Sequence, residues 1–369
     1  MNLMKLIRLL VVLTIGWTAV ALGAGVLGVG ARPTAAPTYF VPRPAFHDAV
    51  TSAHPLLAGS EEFHLVDRTT GRIDPFPVPE DDRWALFSVS PWRDREGNLE
   101  AVGRWVVRTD GTGEQAFCGL GLFRLPDGIV KSRIALDVLP TGRPCWIPGR
   151  PREFLFPAGD GRLHRCQIAF DAPLEDSAPL GGPVGPDGER AAQSRAVTWQ
   201  CESPGGRDTF LADPVWPSEP RLWRFVFVAL SRQVPHGKKM VYEASKLWWL
   251  EMSEHADAIL AAGPLTRPGP EGSQIDGMIE RSPNVAVDPE GKISLVYLTR
   301  KPAARLCQLR SAALEIDRET GRPRINSPRS TSHLLDEGLA PAPLMVSADG
   351  RSVYAAAGDG QIVTYPIPR

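Results

Sequence analysis

The chain has 369 residues, a formal net charge of -1 and 43% hydrophobic residues. That balance excludes a general attraction to nucleic acid or to acidic membranes, and the apolar share is too high for a wholly disordered chain. Gly 35 and Pro 36 predict many turns and few long helices, because proline removes a backbone donor and stops helices.

Residues 1–8 form a basic start with Lys5 and Arg8, and residues 9–31 then carry no charge. A helix of that length spans roughly 30 Å, one hydrocarbon core. With the positive residues before it, the rest of the chain is expected on the extracytoplasmic side. Two readings stand: an uncleaved signal anchor, or a signal peptide cut after Val29-Gly30-Ala31. Both export the remainder of the chain. Residues 32–54, with Pro33, Pro37, Pro42 and Pro44, read as an extended linker.

From residue 55 to 369 the chain alternates short apolar strands with turn signals. The stretch Pro343–Pro368 shows the grammar: Leu344, Val346, Val353, Ile362, Val363 and Tyr365 favour strands, and Asp349-Gly350 and Asp359-Gly360 supply hairpin turns. Similar units surround turns near residues 97, 161, 220, 291 and 350, a spacing of about 60. A hexapeptide turn also recurs, as Asp67-Arg68-Thr69-Thr70-Gly71-Arg72 and Asp317-Arg318-Glu319-Thr320-Gly321-Arg322. Strand-only repeats with polar loops such as 172–194 and 262–281 predict an all-β propeller of five to seven blades, six being the central expectation. Gln115–Val138 is the segment that would add a separate blade. A strand from about Glu61–Val78 is expected to close the ring by completing the last blade.

The Ser347-Ala348-Asp349-Gly350-Arg351 turn, the Asp288-Pro289-Glu290-Gly291-Lys292 turn and the two Asp-Arg-x-Thr-Gly turns carry a resemblance. Over residues 55–369 the sequence resembles the WD40-like and TolB-like β-propellers, which implies a ring of four-stranded blades.

Catalytic signals are few. The chain contains no H-E-x-x-H, G-x-S-x-G or Walker pattern. Gly119-Leu120-Gly121 lacks a third glycine and reads as strand packing. The histidines, His47, His54, His64, His164, His236, His255 and His333, are scattered. Cys118, Cys145, Cys166, Cys201 and Cys307 include no C-x-x-C, so no zinc cage is indicated. Bridges Cys118–Cys145 and Cys166–Cys201 stand beside the alternative of buried free thiols. The acidic turns lack the alternating ligands of an EF-hand and read as hairpin chemistry. Asn326-Ser327-Pro328 is not a glycosylation site.

By analogy with six-bladed calcium-dependent lactonases, Asn284, Asp213 and Glu153 are the candidates for a channel-mouth site; the sequence itself fixes no metal. Lys246–Met252, with Trp248 and Trp249, reads as a strand buried between blades or as an aromatic binding surface. His236–Lys239 reads as a solvated turn, and the basic, proline-rich 143–152 as an exposed loop. The expectation is a non-catalytic binding scaffold that takes a protein or small ligand at the propeller face or channel. It needs no cofactor, meets no nucleic acid, and touches the membrane only through residues 9–31. The alternative is a metal-assisted hydrolase or lactonase. A quinone-dependent dehydrogenase ranks behind both, because no Trp follows Gly71 or Gly321.

Overall fold

A computed structural model describes the strands and turns of residues 63–368. Residues 1–62, 77–82, 108–116, 169–191, 201–208, 267–277, 326–332 and a few short turn positions lie outside the description. The apolar segment 9–31 and the linker are among them. Among the described residues no helix is long and apolar enough to cross a membrane.

The described chain is all β, with one 3-10 turn at Pro220–Leu222. It opens with a hairpin of β1 (Phe63–Val66) and β2 (Ile73–Phe76). Five sheets come next in chain order. Blade I is β3 (Arg83–Arg93), β4 (Leu99–Val107), β5 (Phe117–Leu125) and β6 (Ile129–Ala135). Blade II is β7 (Cys145–Trp146), β8 (Glu153–Pro157), β9 (Leu163–Ile168) and β10 (Ala192–Ala196). The short β11 (Thr198–Trp199) then joins the far edge of blade III.

Blade III runs β12 (Thr209–Val215), β13 (Phe225–His236), β15 (Lys246–Met252) and β16 (Ala258–Pro264), and β14 (Lys239–Tyr242) pairs with the end of β13. Blade IV runs β17 (Ile279–Val287), β18 (Ile293–Arg300) and β19 (Cys307–Ile316). Its outer strand is split into β20 (Pro323–Ile325) and β21 (His333–Leu339). Blade V is β22 (Met345–Val346), β23 (Ser352–Ala356) and β24 (Ile362–Pro366). The fold is a five-bladed β-propeller.

Sequential antiparallel sheets arise because each turn is short and local. In blade IV, Lys292 N donates to Asp288 Oδ1 at 2.8 Å and Gly291 sits at φ +81°. In blade V, Arg351 N donates to Asp349 Oδ1 at 3.1 Å and Gly350 sits at φ +67°. An aspartate that caps its own turn followed by a residue free to take positive φ is the combination a tight hairpin needs.

The core lies in the seams between sheets. Phe154, Phe156 and Trp146 of blade II pack on Val102, Leu120 and Leu122 of blade I. Val226, Val228 and Leu230 of β13 face Leu155 and Leu163 of blade II. The alternate residues of the same strand, Phe225, Phe227 and Ala229, face Leu295 and Tyr297 of blade IV. Leu298, Val296 and Leu309 meet Val346, Val353 and Ala355 in the last seam. A middle strand buried on both faces reads as an unbroken apolar run, as Phe225–Leu230 does. Each such side chain contributes about 1.5–3 kcal/mol on burial.

Several expectations change. The blade count is five rather than six: residues 117–135 are β5 and β6, the outer half of blade I. The turn at Gly161 joins the second and third strands of blade II, and the first turn of that blade is at Gly149, φ +75°. The hairpin β1–β2 forms a sheet of its own, and β24 is the last strand of blade V among the described residues. Local pairing across a six-residue turn closes a far smaller loop than pairing with a strand at the other end of the chain.

The repeated hexapeptide does mark equivalent turns. Val66 pairs with Ile73 and Ile316 with Pro323, so each copy spans the same gap. Arg72 N donates to Thr70 Oγ1, and Arg322 N to Thr320 Oγ1, both at 3.3 Å.

Candidate functional site

The first strand of each blade lines the inside of the ring: β3 lies against β7, β12 against β17, and β17 against β22. Such a strand has a sheet partner on one side only, so a proline is tolerated there. Ser90-Pro91 lies in β3, Asp213-Pro214 in β12 and Ser282-Pro283 in β17, and the ladder shifts register at each. Pro144 and Pro343 immediately precede or approach β7 and β22.

Asp213 and Ser282 both hold φ of +51°, a left-handed conformation unusual for residues with side chains. Each such position costs on the order of 1–3 kcal/mol and persists only where its surroundings enforce it. The surroundings here are each other. Asp213 Oδ2 accepts the backbone N–H of Ser282 at 3.0 Å and the Nε–H of Arg281 at 3.1 Å. The Arg281 guanidinium also lies over the Phe210 ring, 5.5 Å from its centre. Arg143, half-buried beside β7, acts on the same aspartate. Loss of water pushes the Arg143 pKa down, and the charges of Asp213 and the Cys145 thiol oppose that. One carboxylate therefore stands between guanidinium groups from the two neighbouring blades.

Glu280, the residue before Arg281, turns into the seam with blade III and is buried. Lys246 Nζ lies 3.4 Å from its Oε1 and also donates to Met278 O at 3.0 Å. The Thr266 hydroxyl donates to Oε2, and the Ser245 hydroxyl donates to the Glu280 carbonyl at 2.6 Å. Burial raises the Glu280 pKa, with Lys246 and Thr266 pulling the other way. Four residues farther along β17, Asn284 Nδ2 donates to Leu344 O of blade V at 3.0 Å.

The three channel candidates thus do not converge. Asp213 and Asn284 lie on inner strands but fasten different seams, III to IV and IV to V. Glu153 lies on β8, a second strand, with its Oε2 2.5 Å from Arg165 Nη2 and 3.6 Å from Arg150 Nη1. Among the described residues no three His, Cys, Asp or Glu side chains group to hold a metal ion.

Other expectations find their places. Trp249 is buried, edge-on to Phe225 at 5.8 Å, and Gly263 opposite leaves room for its ring. Trp248 is half-buried in the II–III core. Within 143–152, Cys145, Trp146 and Ile147 are core residues, so only part of the segment is loop. Cys145, Cys166 and Cys307 are free and buried, which replaces the two expected bridges; burial raises the first two to about 12 and Cys307 to about 11. The Cys118 side chain and Cys201 lie outside the described residues.

Arginines fasten the remaining turns. Arg152 makes a two-pronged pair with Glu100, Nη2–Oε1 2.7 Å and Nε–Oε2 3.1 Å, both residues buried between blades I and II. Arg150 Nη2 donates to Glu254 O at 2.8 Å, Arg221 Nη2 to Gly291 O at 2.9 Å and Arg224 Nη2 to Gly321 O at 2.7 Å. Sequence reasoning missed Arg143, Glu280 and Arg281. The one signal for them was the pair of x-Pro steps, Asp213-Pro214 and Ser282-Pro283, in strands where proline marks an edge.

No protein-family model matches the chain, and no curated protein matches it. Among solved structures it is similar to an endo-arabinase from Bacteroides thetaiotaomicron VPI-5482, at 8% identity and a TM-score of 0.38, over 91% of this chain and 95% of that one. It is also similar to prolyl oligopeptidase B from Galerina marginata, at 8% identity and a TM-score of 0.36, over 85% of this chain but only 41% of the length of that protein. An endo-1,4-beta-xylanase from Bacteroides thetaiotaomicron VPI-5482 matches at 9% identity and a TM-score of 0.36, over 77% and 96% of the two chains. Likenesses of this strength assign no activity.

Proposed function

We propose that the chain is a non-catalytic binding propeller, held at the extracytoplasmic face of a membrane or released there by cleavage after residue 31. One observation carries the binding reading. Asp213 is engaged by Arg281 and the Ser282 N–H across a seam, Glu153 is engaged by Arg165 within its own blade, and neither carboxylate hydrogen-bonds the other as a coupled acid–base pair would. The uncharged segment 9–31 after Lys5 and Arg8 supports the placement.

Full-length protein in intact cells tests the placement: protease added outside should digest residues 55–369 and leave cytoplasmic controls whole. For the binding reading, purified full-length protein is analysed for bound metal and assayed against ester, lactone and glycoside substrates. Stoichiometric calcium, or a turnover abolished by Asp213→Asn, would overturn it in favour of the hydrolase.

A further inference from the structure

The geometry points to a small-oxyanion site, for a carboxylate or phosphate, on the inner wall at Arg281. This rests on the binding-module reading and names the ligand class it would take.

A guanidinium binds an oxyanion well when its plane is fixed and one edge is left to donate in parallel to two oxygens. Arg281 meets both conditions. Its Nε–H is held by Asp213 Oδ2 at 3.1 Å, and its Cζ lies over the Phe210 ring, 5.5 Å from the centre. Its two terminal nitrogens have no hydrogen-bond partner among the described residues, and the side chain keeps 26% of its exposure. The anchoring carboxylate is itself fixed, because the Ser282 N–H binds the same oxygen and both residues sit in constrained backbone.

A second guanidinium stands near the same carboxylate. Arg143 flanks Asp213 from the blade II side. Arg143 and Arg281 thus approach one carboxylate from the two neighbouring blades. Arg143 and Arg281 are both half-buried, and partial removal from water strengthens attraction for an anion that enters. The strain at Asp213 and Ser282 then serves to fix the Arg281 guanidinium against the neighbouring inner strand.

Isothermal titration of the full-length protein in detergent, with sodium succinate and sodium phosphate in separate arms, tests the assignment. Sodium chloride at matched ionic strength is the control. The expected result is saturable binding of one or both anions, weakened about tenfold by Arg281→Met. Arg281→Lys keeps the charge without the fork; it should fall between the two and confirms that loss is not unfolding. The arm that binds more tightly identifies the oxyanion. Heats no larger than those of chloride would overturn the site, as would binding that Arg281→Met leaves unchanged. Neither result touches the non-catalytic reading, which is judged by metal content and turnover.

Discussion

Asp213 Oδ2 accepts the backbone N–H of Ser282 at 3.0 Å across the seam between blades III and IV, and both residues hold φ of +51°. The two strained positions support each other, so a change at one should be felt at the other. Asp213→Ala removes the acceptor for Ser282 N–H and Arg281 Nε–H and should cost about 2–4 kcal/mol. Asp213→Asn keeps an acceptor oxygen and tolerates the left-handed backbone, and should cost about 1 kcal/mol. Urea titrations of both variants check this; equal losses would show that the seam bond is unimportant.

Gly350 and Gly97 both have positive φ, +67° and +85°, but differ in their surroundings. A Cβ on Gly350 would lie 2.0 Å from the Val287 carbonyl oxygen, whereas one on Gly97 would meet nothing within 4 Å. Gly97→Ala should therefore lose about 1 kcal/mol from backbone strain alone. Gly350→Ala should lose about 4 kcal/mol or more, since rigid backbone must move. Denaturant midpoints of the two variants measure the gap.

Glu280 gives the III–IV seam a pH dependence. Burial raises its carboxyl above the ordinary value of 4.5 in the folded chain, so the fold binds that proton more tightly than the unfolded chain does. Its contribution to stability is full below about pH 4.5 and is lost as pH rises through the folded value. Compared with Glu280→Gln, the parent protein should lose ground as pH rises from about 4.5 through the raised folded value. Asp349 has the opposite sign: the Ser347 hydroxyl and the Arg351 N–H lower its pKa, so its contribution is present above the ordinary value of 3.8 and is lost as pH falls through the lowered one. Unfolding curves across this range, with and without Glu280→Gln, decide the matter; parallel profiles would remove Glu280 from the account.

The buried thiols should be silent in the native protein. Cys145, Cys166 and Cys307 titrate at about 12, 12 and 11, far from the thiolate range needed for reaction. Alkylation followed by peptide mass mapping should leave these three unmodified in buffer and modified in denaturant. Native labelling of Cys166, wholly enclosed in the I–II core, would contradict the packing described.

Strands and turns were legible because their causes are local. Phe225–Leu230 can be little else than a strand, and Asp349-Gly350 little else than a turn. What a turn joins is not local: Asp160-Gly161 has the same chemistry as Asp349-Gly350, yet it links second and third strands. That ambiguity, with long polar loops between repeats, left the blade count open between five and seven with six at its centre. Asp213 and Asn284 lie on inner strands, but their partners, Ser282 and Leu344, lie more than 50 positions away, beyond anything periodicity reports. Arg281 carried no motif at all; its role depends on a ring and a carboxylate brought to it by another blade.

Blades I to IV each present a fourth strand, while blade V ends at β24, whose only ladder among the described residues is with β23. Tension applied at Pro366, the last residue of β24, would therefore meet hydrogen bonds one at a time. β24 would unzip before any multi-bond shear was engaged, and the ring would open mechanically from that side.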